Sequence, residues 1–257
     1  MRGGDIITLT SKSLGGLEIR KLEERDAYYD IFIYGDAGVG KTVFAGSADA
    51  VPQMRPVLIV DVEFGTNSLR KTYPKVDVIQ VKTWEEVEKI REALSDTDHG
   101  YQTVVWDSHT ELQKINLYYI MKKAGLSPTA DKPGWDEWGL SLEHMRKFVR
   151  DIKRLPINSI WTALLAEEKD KKGNILKRPL FTGKFQKEAA ALFDEVFFYY
   201  MKEITDPDTG EDKNVRVLLT EATETAVAKD RSGNLGLYTV DPTMEIIYNK
   251  MTMIGTN

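Results

Sequence analysis

The octapeptide Gly35-Asp36-Ala37-Gly38-Val39-Gly40-Lys41-Thr42 constrains this chain more than any other stretch of its 257 residues. It fits the spacing G-x-x-x-x-G-K-[ST] and lies between a β-prone run, Asp30-Ile31-Phe32-Ile33-Tyr34, and a helix-compatible segment over 43–49. A strand that turns at once into a helix needs residues that accept left-handed backbone angles, and glycine does so without steric cost. The resulting curl aims successive backbone N–H groups and the helix N-terminus at one point, which is an anion site suited to a chain of phosphates. There Lys41 can reach the β and γ phosphates of a nucleoside triphosphate, and the Thr42 hydroxyl can hold Mg2+. Chance produces the pattern about once in a hundred chains of this length, and the flanking strand and helix make coincidence rarer. ATP and Mg2+ are the ligands expected on Gly35, Asp36, Ala37, Gly38, Val39, Gly40, Lys41 and Thr42.

The remaining sequence supplies a scaffold for such a loop. Further β-prone runs lie at 57–61, 76–81, 103–107 and 159–166. Apolar residues at helical spacing fill the gaps: Trp84, Val87, Ile90 and Leu94, then Leu112, Ile115 and Tyr119, then Trp138, Leu142, Met145, Phe148, Ile152 and Leu155. This alternation predicts an α/β fold with a mostly parallel central sheet flanked by helices. Two later runs, 196–200 and 215–219, are joined by Asp206-Pro207-Asp208-Thr209-Gly210 and predict a C-terminal antiparallel hairpin extension. Residues from 243 onward read as a short helix or loop. Residues 1–27 are polar and weakly periodic, an expected N-terminal arm, and 28–257 an expected single domain.

Composition narrows the alternatives. With 42% hydrophobic residues the chain can bury a full core. It has no cysteine and three histidines, which excludes disulfides and thiolate metal sites and leaves little for a structural zinc. No apolar stretch approaches a membrane span, and the N-terminus lacks the blocks of a signal peptide, so a soluble cytoplasmic protein without a membrane partner is expected.

An acid at the end of an apolar strand is the second ingredient of nucleotide chemistry. Asp107, closing Thr103-Val104-Val105-Trp106, can bind Mg2+ through water, with Asp61 at the end of 57–60 as its rival for that role. Two residues beyond Asp61 stands Glu63, a carboxylate able to orient and polarise an attacking water.

The phosphate loop, the Asp61-Val62-Glu63 strand end and Val104-Val105-Trp106-Asp107-Ser108 together resemble the ATPase core of the RecA superfamily. The resemblance covers roughly residues 28–240, and only the phosphate loop is specific by itself. It implies a RecA-like P-loop NTPase fold, makes Glu63 the catalytic glutamate, and brings the Asp107-Ser108 pair to the nucleotide. Ser108 stands where the AAA+ branch would carry a second acid. Lys229-Asp230-Arg231 is similar to a K-x-R motif of hexameric RecA-like proteins, in which two cations reach the γ phosphate of a neighbouring subunit. The chain also resembles compact phage-encoded RecA-like annealing and recombination ATPases. That likeness implies phage DNA recombination or strand annealing in a bacterial host's cytoplasm, homo-oligomers as rings or filaments, and a phage or host single-strand-binding protein as a partner.

The chain as a whole is acidic, with 35 Lys and Arg against 40 Asp and Glu, so a nucleic-acid site has to be local. Residues 169–187 supply one: Lys169, Lys171, Lys172, Lys177, Arg178, Lys184 and Lys187 against the single acid Asp170, interleaved with Phe181 and Phe185. Cations to track a backbone and aromatics to stack on bases are the parts of a single-stranded DNA groove. In the RecA family a mobile DNA loop follows the fifth strand, as this segment does. Where that family carries a polar sensor such as Gln, this chain reads Leu165-Ala166-Glu167-Glu168. The expected activity is ATP hydrolysis stimulated by single-stranded DNA. The alternatives are a nucleotide or small-molecule kinase on the same loop, and an annealing protein or helicase loader that binds nucleotide without hydrolysing it.

Overall fold

A computed structural model describes residues 12–19, 21, 27–181, 191–205 and 210–253. The central strand β3 (Asp30–Gly35) is buried along its whole length. It therefore reads as an unbroken apolar run, the pattern of a strand covered on both faces. Its side chains alternate between two cores: Phe32 and Tyr34 join Trp84, Trp106, Phe148 and Trp161 on one face, while Ile31 and Ile33 join Phe44, Val105, Ile160, Phe197, Met244 and Ile247 on the other.

Strands β4 (Val57–Asp61), β5 (Asp77–Gln80), β6 (Thr103–Asp107), β7 (Asn158–Lys169) and β9 (Glu195–Thr205) extend the sheet around β3. From one edge the order is β5-β4-β6-β7-β3-β9, every neighbouring pair parallel. Strands β10 (Asp212–Leu219) and β11 (Tyr238–Val240) complete the other edge in antiparallel fashion. The expected α/β fold with a C-terminal antiparallel hairpin extension is present. The predicted turn residues Asp206, Pro207, Asp208 and Thr209 lie outside the described residues.

Helices cover both faces. The short α1 (Lys41–Gly46) follows the phosphate loop and runs into a 3-10 turn at Ser47–Ala50. Helix α2 (Trp84–Ala93) starts at a reciprocal cap in which Thr83 accepts from the Glu86 N–H and the Glu86 carboxylate accepts from the Thr83 N–H. Helices α3 (His109–Lys123) and α4 (Trp135–Ile152) pack on each other, and the α4 stripe of Met145, Phe148 and Ile152 is buried in the core that holds Trp106 and Trp161. The chain closes with α5 (Met244–Met251).

Three elements differ from the sequence expectation. The segment beginning at 169 is not a loop at its start, because β7 runs on to Lys169, turns at Asp170–Gly173 and returns as β8 (Ile175–Pro179). Asp170 stabilises that turn by accepting from the N–H groups of Lys172 (2.7 Å) and Asn174 (2.9 Å). Strand β5 is shorter than 76–81 and lies exposed at the sheet edge. The arm contains a small hairpin, β1 (Lys12–Leu14) with β2 (Leu17–Ile19).

Candidate functional site at the carboxyl edge of the sheet

The phosphate loop leaves β3 at Gly35, where the backbone passes so close to β9 that a Cβ would stand 2.0 Å from the Tyr199 carbonyl oxygen. No side chain fits there. At the other end Gly40 caps α1 with φ 107°, a left-handed angle, and its carbonyl accepts from the Phe44 N–H at 2.9 Å. Strand β10 braces the curl from outside, with Arg216 Nε donating to the Val39 carbonyl at 3.0 Å.

Lys41 is buried and turned back into the loop, its Nζ donating to the carbonyls of Gly35 (2.9 Å) and Asp36 (2.8 Å). Burial pushes its pKa down, against the opposing pull of Asp107, Glu63 and Asp36. Thr42 Oγ1 donates to Asp107 Oδ2 at 2.7 Å, and Thr162 Oγ1 donates to Asp107 Oδ1. Asp107 is 4% exposed. Burial raises its carboxyl, and the two hydroxyl hydrogen bonds hold it down. The Asp107–Ser108 peptide is cis.

Asp61 and Asp107, the two candidate metal acids, differ in their partners. Asp61, in register with Asp107 on the neighbouring strand, accepts from Gly65 N (3.1 Å), Thr66 N (3.4 Å) and Thr66 Oγ1 (2.9 Å). Its carboxylate is used to shape the loop after β4. That loop carries Glu63, whose Oε1 accepts from Ser108 Oγ. Ser108 also caps α3, accepting from the Glu111 N–H at 3.4 Å.

Lys41, Thr42, Glu63, Asp107 and Ser108 thus meet where the parallel strands end, beside the phosphate loop. The oxygen donors are hydroxyls and carboxylates without nitrogen or sulfur ligands, which fits a Mg2+ ion that shares its coordination with phosphate and water. Thr42 and Asp107 are the residues that would hold it. Sequence reasoning missed two members, Thr162 and Arg216. A hydroxyl inside the otherwise apolar run Ile160-Trp161-Thr162-Ala163 was the available signal for the first. Arg216 had none, since its role depends on β10 folding back against the loop.

Two cavities flank the phosphate loop. One of about 360 Å3 lies over the start of α1, lined by Gly40, Val43, Tyr73, Arg216, Asp241 and Pro242 among others. The other, about 300 Å3, lies beside Asp36–Val39 and reaches Glu167, Lys177, Phe198 and Tyr200.

Lys229 and Arg231 lie elsewhere. An isolated bridge pairs Lys229 with Val196, which is level with Phe32 and therefore three residues, about 10 Å, short of Gly35 along β3. Lys229 Nζ donates to the Phe193 carbonyl at 2.6 Å, and Arg231 Nη1 donates to Asp194 Oδ1 at 2.5 Å. Both side chains serve the amino-terminal edge of the sheet, away from their own chain's phosphate loop.

The basic segment divides. Lys169, Lys171 and Lys172 are exposed at the tip of the β7–β8 hairpin. Lys177 and Arg178 are half-buried on β8, and Arg178 Nε lies 4.0 Å from Glu168 Oε2. Phe181 corrects the expectation of a stacking aromatic: it is 6% exposed and packs against His109 (4.8 Å between ring centres) and Phe32 (5.4 Å). It belongs to the core because the chain re-enters the sheet's face after β8. Lys184, Phe185 and Lys187 lie outside the described residues.

Comparison with known proteins gives a family and a weak structural likeness. Residues 27–232 match a family described as AAA domain. No curated protein matches the chain. Among solved structures, an ATPase from the type III secretion system of pathogenic bacteria is similar at 18% identity and a TM-score of 0.42, over 66% of this chain and 50% of that one. This chain spans about half the length of that ATPase. The family that matches carries the AAA description even though Ser108, rather than a second acid, follows Asp107.

Proposed function

The chain belongs to the AAA domain family, and from that premise we propose that it is an ATPase that binds ATP with Mg2+ on residues 35–42 and hydrolyses it with Glu63 as the water-orienting carboxylate. The observation that carries this reading is the meeting of Thr42, Asp107 and Glu63: a 2.7 Å hydroxyl-to-carboxylate contact at the loop, faced by a second carboxylate held by Ser108. Bound Mg2+ would supply charge neutralisation and an oriented phosphate oxygen. The loop N–H groups and Lys41 would take the phosphates, Lys41 giving up the carbonyls of Gly35 and Asp36 for phosphate oxygens. Glu63 orients a water whose oxygen forms a bond to the γ phosphorus as the bond to the bridging β–γ oxygen breaks. The water's proton passes to the carboxylate, leaving ADP and phosphate. The cavity over Gly40 and Val43 is large enough for a nucleobase and adjoins the start of α1, opposite the end of the loop that Lys41 marks.

Single-stranded DNA is the proposed partner of the hairpin tip, where Lys169, Lys171 and Lys172 concentrate positive charge on an acidic molecule. Assembly is the proposed use of Lys229 and Arg231, because cations too far from their own loop can serve a neighbour's. Phage DNA recombination or annealing is the biological setting that the RecA-like resemblance suggests for such a machine. The test is ATP hydrolysis with and without single-stranded DNA at low and high salt, alongside Lys41→Ala. Turnover that is lost in Lys41→Ala and raised by DNA only at low salt is expected. Turnover indifferent to Lys41 removes the ATPase reading, and turnover indifferent to DNA removes the DNA reading alone.

A further inference from the structure

Its neighbours in sequence group Lys177 with the DNA-tracking cations, yet it lines a cavity shared with the phosphate loop. Three contacts fix its backbone: its N–H donates to the Thr225 carbonyl at 2.6 Å, and its carbonyl accepts from Val227 N (3.3 Å) and Tyr34 Oη (3.2 Å). The side chain then crosses the Phe198 ring, with Nζ 5.4 Å from the ring centre. It lines the 300 Å3 cavity together with Asp36-Ala37-Gly38-Val39. Glu167 stands opposite it on β7 and shares the cavity. Even so, no carboxylate lies within ion-pair distance of the ammonium among the described residues. A half-buried cation with no ion-pair partner among the described residues, beside a loop built for phosphates, has an anion as its natural complement.

Which end of the nucleotide it meets follows from Lys41. The head of Lys41 marks the β and γ phosphates, and it sits at the carbonyls of Gly35 and Asp36. Asp36 lines the Lys177 cavity, whereas the base-sized cavity lies over Gly40 and Val43. Resting on the proposed ATPase reading, we propose that Lys177 is a catalytic cation supplied by the same chain, reaching the terminal phosphate from the β7–β8 hairpin. It supplies charge to the transition state and takes no part in bond exchange. Because Lys177 and the tip lysines share one hairpin, this contact also gives the arm a route by which to respond to the γ phosphate.

The experiment compares wild type, Lys177→Met, which keeps an apolar stem over Phe198, Lys177→Arg and the Lys41→Ala control. Folding of each is checked by circular dichroism. Readouts are kcat for ATP and the relative affinities for fluorescent ATPγS and ADP. Lys177→Met should lower kcat about a hundredfold, leave ADP affinity within about twofold, and erase any preference for ATPγS over ADP. Lys177→Arg should recover most of both. Wild-type kcat and nucleotide preference in Lys177→Met, beside a dead Lys41→Ala, would overturn the role of Lys177 and leave the ATPase reading standing. A Lys177→Met protein impaired only in DNA binding would overturn it too, by returning this lysine to the arm. A wild-type protein that binds neither nucleotide would bring down the ATPase reading itself.

Discussion

At Gly35 a single hydrogen atom is all the side chain that β9 leaves room for. A methyl group there would meet the Tyr199 carbonyl oxygen at 2.0 Å, and because the obstacle is backbone, β3 and β9 would have to part. Gly35→Ala is expected to lower stability by about 1–3 kcal/mol and to weaken nucleotide binding, read from the thermal midpoint and a fluorescent-nucleotide titration. Glu63 should give a different outcome, since the proposed mechanism has its carboxylate act on water and not shape the cradle. Glu63→Gln should keep ATP affinity while hydrolysis falls about 10²–10⁴-fold. A Glu63→Gln enzyme with unchanged turnover would remove that residue from the mechanism. Ser108→Ala should fall between, because Glu63 loses the hydroxyl that holds it but keeps its charge. Of the site's residues, Lys41, Thr42, Glu63 and Asp107 were legible in the sequence, since a loop spacing and two strand-end acids announce them. Thr162 and Arg216 were not, since each meets its partner only across strands far apart in sequence.

Among the elements, the β7–β8 hairpin departs furthest from expectation. The sequence predicts a strand over 159–166 but a loop from 169 onward, where the charges are too many to read as strand. Pairing explains the difference: Leu165 to Lys169 lie opposite Pro179 to Ile175 in continuous antiparallel register, and Asp170 ties the turn. Backbone hydrogen bonds and a turn cap stabilise what the composition does not advertise. The hairpin gathers Lys169, Lys171 and Lys172 at its exposed tip. Replacing Lys169, Lys171 and Lys172 together by Ala should therefore weaken single-stranded DNA binding and flatten its dependence on salt by up to about three phosphate contacts. Basal ATP hydrolysis should be unchanged. A salt titration of DNA binding checks this, and an unaltered slope would place the DNA elsewhere.

Across the whole molecule, each end of the sheet's strands holds its own cluster of acids and cations. The carboxyl edge holds the phosphate loop beside Thr42, Glu63, Asp107 and Ser108. The amino edge holds a network of Asp30, Lys153, Asp194 and Arg231, with Lys153 Nζ 3.0 Å from Asp30 Oδ2. Next to it Glu195, 1% exposed, accepts from the Arg231 N–H at 3.2 Å. Burial pushes its carboxyl up to about 8, and the neighbouring charge of Asp230 adds to the rise. The folded protein therefore keeps Glu195 protonated where the unfolded chain, titrating near pH 4.3, has already lost the proton. Stability contributed by this group is complete below about pH 4.3 and is lost as the pH climbs to about 8. Glu195→Gln keeps the hydrogen-bonding shape without the titration. Its thermal midpoint should thus exceed that of wild type at pH 8 and above, with the gap closing near pH 5. A gap independent of pH would exclude Glu195 as the titrating group. Among the described residues, no helix is long and apolar enough to cross a membrane.

The order of apolar runs and helical stripes was enough to determine the alternating α/β layout, and the octapeptide was enough to locate the phosphate loop, because both are local and each residue's conformational preference acts within a few positions. What the order could not decide is which strand lies next to which. Only the folded sheet sets Asp107 against Thr162, ties Asp61 to its own loop, buries Phe181, and places Lys177 in the cavity lined by Asp36–Val39. Those outcomes depend on contacts between segments tens to more than a hundred residues apart, where packing and desolvation outweigh anything a short window of sequence expresses.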